Sequence, residues 1–423
     1  MNCNLKEYIA YLPVISLLMY LASLPFSFGA FQRICLYALP LFYVLDYVLN
    51  QRWKGWKWSK DKWLYVVFIA LFLLLPLRQL LDNTPPTSYY KSQIDHLSMF
   101  LALGVVGLLG FSDKLKLEYV GYTMLLTALV VIGFNTYLYK QSGELFPFNN
   151  YRFNWLRHDR INSHMIINLY INTTLIIGFY ILNHVKLHKT IKILIGIGMA
   201  LMWAYVVSSE GRVGSMTSIV IIFSSLLYTL WSKNSNKTVN IVLSCLLLAC
   251  AIIAGVTFKN NKPRVQMDAV KNDPRLAMWD YSWNKIKDHP WIGYGTSSLN
   301  KEIVEKMYED PDSEIYKNYI VPVIQHSSIG KYGQQVENHH AHNAWLQLWL
   351  QVGIIGVIVL LLVFVSSAIA PIPDKRYYMW AFLLVLLLQT ITDIIHTGLR
   401  PELVATLLFC FQQTCSSKLI QQA

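Results

Sequence analysis

The sequence predicts an all-α, polytopic membrane protein with about twelve transmembrane helices and a long extracytoplasmic loop containing short helices. Three observations predict it. Of 423 residues, 54% are hydrophobic, and the mean hydropathy is +0.37. Charged residues make up 14%, below the roughly 25% of soluble domains. The apolar residues form continuous blocks of about 18 residues, enough to cross a bilayer, where a β-barrel would alternate over strands of about ten.

The blocks place spans at 8–28, 31–49, 63–81, 97–111, 118–138, 163–183, 190–208, 214–231, 239–257, 343–365, 377–396 and 400–416. Lys6 is the one lysine before the first span, and no small-x-small cleavage site follows it, so the block reads as a retained helix. The chain then divides into residues 1–257 with nine spans, a polar loop at 258–342, and residues 343–423 with three spans. Six cysteines lie in or beside apolar segments and none in the polar loop, which argues against a disulfide framework or a zinc site.

Basic residues set the orientation. Arg52, Lys54, Lys57, Lys60 and Lys62 follow the second span. Lys114 and Lys116, then Lys186, Lys189 and Lys192, then Lys233 and Lys237, then Lys375 and Arg376 occupy alternate later connections. The positive-inside rule makes that side cytoplasmic, with both termini, and turns the 258–342 loop outward. Much of the net charge of +12 is thereby a topology signal, and we expect no nucleic-acid partner.

The outward loop is too long and too aromatic to be a mere connector. Asn272 or Asp273 can cap a helix, Pro274 suits its first position, and His289-Pro290 ends it. Leu276, Trp279, Trp283 and Ile286 fall on one face, as in a helix lying at the membrane surface with its tryptophans among the headgroups. Arg275 occupies the first turn, where the helix dipole opposes a cation. It is placed for a bound anion, or it pairs with Asp273 or a lipid phosphate.

Other outward arginines raise the same pair of readings. Arg78 ends the third span, and Arg160 lies with Lys140, Arg152 and Arg157 in the connection between spans five and six. Arg212 sits in Ser208-Ser209-Glu210-Gly211-Arg212-Val213-Gly214-Ser215, just before span eight. Even-numbered helices start at the outer face, so their positive ends point outward beside these arginines, as a diphosphate would require. Headgroup contacts, or a Glu210–Arg212 pair, would explain single arginines equally well.

His342 and Asn343 open the tenth span, with Asn343 as N-cap. A positive helix end and nearby arginines favour a neutral imidazole, suited to general-base work near neutral pH. A solvated or capping histidine is the plainer alternative. His339, His340 and His342 do not fall on a single helical face, so no metal is expected. Asp46 and Asp393 are the obvious acids within spans, where a transporter would need them.

Taken in order, Arg212 in its turn, Arg275-Leu-Ala-Met-Trp, Asp288-His-Pro-Trp-Ile-Gly-Tyr-Gly and His342-Asn-Ala-Trp-Leu before Val352-Gly-Ile-Ile-Gly356 resemble the O-antigen ligase/polymerase superfamily, most like the ligases. The resemblance implies a glycosyltransferase of the bacterial inner membrane, acting at the periplasmic face. It would move a glycan from undecaprenyl diphosphate to a sugar hydroxyl of lipid A–core, inverting and without a metal or other cofactor. It implies that His342 is the base on the acceptor and that Arg212 and Arg275 hold the donor diphosphate. Arg160 and, less closely, Arg78 match further basic positions. A polymerase of the same superfamily and a lipid-glycan flippase are the competing functions. Partners would be the lipid-linked glycan, lipid A–core and membrane lipids.

Overall fold

The computed structural model describes residues 3–26, 29–82, 88–141, 164–208, 212–231, 274–295, 343–369, 371–392 and 401–416. They form α1 (Cys3–Ser23), α2 (Gly29–Leu49), α3 (Trp63–Leu81), α4 (Ser88–Leu109), α5 (Leu117–Gln141), α6 (His164–His184) and α7 (Lys189–Ser208). The remainder are α8 (Arg212–Trp231), α9 (Pro274–Asp288), α10 (Ala344–Val352), α11 (Ile354–Ile369), α12 (Pro373–Thr392) and α13 (Pro401–Ser416). No strand occurs among the described residues. Six of these helices are long and apolar enough to cross a membrane, and three shorter ones are apolar over Gln93–Leu109, Val213–Thr229 and Ile354–Ile369. The chain is an all-helical polytopic membrane protein.

Most expected spans match within a few residues, and α3 agrees at both ends. The ninth, at 239–257, lies outside the described residues. Helix α1 ends at Ser23, before the expected limit of 28, because the chain turns at Leu24. The turn is held by Gln32 of α2, whose Nε2 donates to Ser23 O at 2.8 Å and Phe26 O at 2.6 Å. Helix α4 starts at Ser88, not 97. Lys91, Asp95 and His96 had removed those turns from an apolar window, yet they are helical. The tenth span is not one helix: it breaks at Gly353 into α10 and α11.

Packing runs through antiparallel neighbours. Helices α1 with α2, α3 with α4, and α5 with α6 form hairpins. Helix α6 is buried along nearly its whole length, surrounded by α5, α7, α8 and α12. Its polar residues are accommodated internally: Thr173 and Thr174 donate to the carbonyls of Leu169 and Tyr170, both at 2.8 Å. Gly107 on α4 lets the ring of buried Tyr65 on α3 lie against the helix backbone; any Cβ there would overlap the ring. Helix α11 packs on α3, and α13 on α4 and α5, so the last helices close the bundle over the first.

Asp46 sits at the C-terminal end of α2. Arg52 Nε and Asn50 Nδ2 each donate to its carboxylate at 2.6 Å. A fully buried charge is thus paired, as burial requires. Asp393 lies outside the described residues.

Candidate active site

Helix α9 starts at Pro274 and ends at Asp288, before His289-Pro290, as the capping and breaker residues predict. It packs against α10. Ser282 and Ile286 are buried, while Trp283 is half exposed and meets Trp349 of α10 edge to face at 5.6 Å. The aromatic face is therefore shared between the bundle and the surroundings rather than lying wholly outward.

The segment after α9 explains why the tenth span breaks. A continuous helix would pair the carbonyls of Leu350 and Gln351 with amides one turn later. Here they accept instead from Tyr294 N at 2.7 Å and Gly295 N at 3.1 Å. In return, Pro290 O accepts from Ile354 N at 3.0 Å and from Trp349 Nε1 at 2.9 Å. The polar groups freed by the break are thereby satisfied inside the protein. Gly293, Gly295 and Gly353 have φ of +65°, +91° and +75°. A Cβ on Gly353 would overlap the Trp291 carbonyl, and one on Gly295 the Asp82 carboxylate. The Trp-Ile-Gly-Tyr-Gly and Val-Gly-Ile motifs are two halves of one backbone joint.

Arg78, at the end of α3, clamps this joint. Its Nε donates to Ile292 O at 3.0 Å, Nη2 to Gly293 O at 3.3 Å and Nη1 to Asp82 Oδ1 at 2.5 Å. The guanidinium fork suits three acceptors at fixed angles. Asp82 was not read as a site residue, although its position four residues after Arg78 is a signal for pairing.

Asn343 caps α10 as expected. Its Oδ1 accepts from Trp345 N at 3.0 Å and Leu346 N at 3.1 Å, and its backbone is extended. Gln347 and Gln351 follow at intervals of four on the same face, and both are buried. Gln351 Nε2 donates weakly to Gln93 Oε1 of α4 at 3.4 Å. Gln93 Nε2 and Gln351 Oε1 have no hydrogen-bond partner among the described residues. One turn beyond Gln93, His96 Nδ1 meets Glu402 Oε1 at the start of α13. This polar ladder was missed, although amides spaced by four in an apolar helix are visible in the sequence.

Helix α8 begins at Arg212. Gly214 approaches α6 so closely that a Cβ would overlap Asn168, and Asn172 Nδ2 donates to Gly214 O at 3.1 Å. The start of α8 is thus fixed against the buried α6. Arg275 is the second residue of α9. The side chains of Arg212 and Arg275, and all of Arg160 and His342, lie outside the described residues. What the fold brings together is the helix carrying Arg275, the helix that Asn343 caps one residue after His342, and the Arg78 clamp.

Residues 197–361 match a family model described as O-Antigen ligase. The match takes in α8 and α9, with Arg212 and Arg275, and continues through His342 into α11. No curated protein matches the chain.

Proposed function

We propose that this chain, whose residues 197–361 match a family model described as O-Antigen ligase, is a ligase of the O-antigen ligase/polymerase superfamily. It would transfer a glycan from undecaprenyl diphosphate to a sugar hydroxyl of lipid A–core at the periplasmic face of the bacterial inner membrane. The observation that carries this reading is the packing of α9 on α10, because it joins the element bearing Arg275 to the one that follows His342.

In the proposed step, the acceptor oxygen attacks the anomeric carbon as the bond from that carbon to the diphosphate oxygen breaks. His342 takes the acceptor's proton. The electron pair of the broken bond leaves on undecaprenyl diphosphate, where Arg212 and Arg275 meet the growing negative charge. Attack from the face opposite the leaving group inverts the anomeric centre. Arg160 would extend the positive field, and Arg78 would act from beside the joint it holds. No metal takes part in this scheme.

Purified protein with lipid-linked glycan and lipid A–core tests the reading. His342→Ala should abolish transfer while the protein still inserts in the membrane; near-normal transfer would remove the histidine from the reaction. Arg212→Ala and Arg275→Ala should impair donor use more than acceptor use. In cells, deletion of a ligase leaves long glycan on the lipid carrier and none on lipid A–core. Deletion of a polymerase leaves single repeats on the core, which would favour the sister activity.

A further inference from the structure

The connection between α2 and α3 carries a surface that neither the bundle nor the transfer reaction uses. Within Arg52–Trp63 stand Trp53, Trp56, Trp58 and Trp63, interleaved with Arg52, Lys54, Lys57, Lys60 and Lys62 and a single acid, Asp61. The four indoles remain between 43% and 53% exposed, so the bundle leaves half of each large ring uncovered.

The segment is built. It contains 3-10 turns at Arg52–Gly55 and Lys60–Lys62. Trp56 Nε1 donates to Leu108 O of α4 at 2.9 Å. Trp56, Trp58 and Trp63 form an edge-to-face series with ring centroids 6.5 and 5.6 Å apart. The Lys62 ammonium lies 4.2 Å above the Trp56 ring, and Arg52 is engaged with Asp46. Lys54, Lys57 and Lys60 are exposed, and their ammonium groups make no hydrogen bond or ion pair among the described residues.

An ordered plate of half-exposed indoles with three uncommitted ammonium groups between them has the chemistry of a bilayer interface. Indoles settle at headgroup depth, lysine stems lie along them, and the ammonium groups reach phosphate. Cations so placed favour headgroups with net negative charge. We propose that Arg52–Trp63 is a binding site for anionic phospholipid, with Lys54, Lys57 and Lys60 holding headgroup phosphates over the ends of α2, α3 and α4. The site is independent of the catalytic reading.

The test uses the full chain in phosphatidylcholine vesicles containing a trace of spin-labelled phosphatidylglycerol or, in parallel, spin-labelled phosphatidylcholine. The measured quantity is the motionally restricted fraction of each probe. The wild-type protein should restrict phosphatidylglycerol preferentially. Lys54→Gln/Lys57→Gln/Lys60→Gln should cut that preference by about fivefold or more, the loss set by removing lysine–headgroup attraction. Lys186→Gln/Lys189→Gln, on a different connection, should leave it in place. Absence of any preference, or one that survives the triple substitution, would overturn the proposal. Equal losses in both variants would assign the effect to overall charge and overturn it too. So would pull-down of a soluble acidic protein through these lysines without lipid preference.

Discussion

Arg78 shows how one side chain can hold three segments. Removing it leaves the carbonyls of Ile292 and Gly293 and the carboxylate of Asp82 without that donor. Arg78→Ala should lower stability by about 2–4 kcal/mol, read as a lower melting temperature in detergent. Arg78→Lys should recover part of the Asp82 pairing without the fork to the carbonyls, and so fall between the two. Gly353→Ala is expected to be harsher, because its Cβ meets fixed backbone at Trp291 and its φ of +75° is strained for any L side chain. It should deplete folded protein in the membrane. For His342, transfer should decline in acid, where a protonated imidazole can no longer accept the acceptor's proton. A rate that does not fall on acidification would count against a histidine base. The sequence displayed Asn343 as a cap because the capping residue acts locally. It did not display the Arg78 clamp, because the acceptors are backbone carbonyls 214 and 215 residues away.

At the scale of elements, apolar periodicity located the helices well and their internal breaks badly. Helix α3 could be read to the residue because Lys62 and Asp82 bound an apolar run. The break at Gly353 stayed hidden because Val352 and Ile354 keep the run hydrophobic; only a partner from outside the helix explains it. The start of α4 was hidden for the opposite reason: its first turns carry charge although they are helical. The Gln93–Gln351 contact yields a prediction about two elements. Gln351→Leu alone should destabilise, since it leaves Gln93 Oε1 buried without this donor. Adding Gln93→Leu should restore much of the loss by removing the stranded amide, as a double-mutant cycle of melting temperatures would reveal. Additive losses would mean that each amide has its own role.

For the whole molecule, hydrophobicity dominates, and that made the polytopic class legible before any coordinates. The candidate site was legible as motifs but not as an assembly, since α3, α4, α9, α10 and α13 contribute from both ends of the chain. If catalysis rests on arginines, helix ends and one histidine, chelation with EDTA should leave transfer unchanged in the reconstituted system. Loss that added divalent metal restores would overturn that mechanism.

The joint between the loop and the broken helix also bears on how the chain is made. Pro290 finds its Trp349 donor only 59 residues later, so a nascent chain that has just released Pro290 has nowhere to dock it. Arg78 of α3 is already made, but Pro290 must wait until α10 and the start of α11 have been synthesised. A ribosome that stops between these two points would leave this segment without its seat, an open target for quality-control proteases.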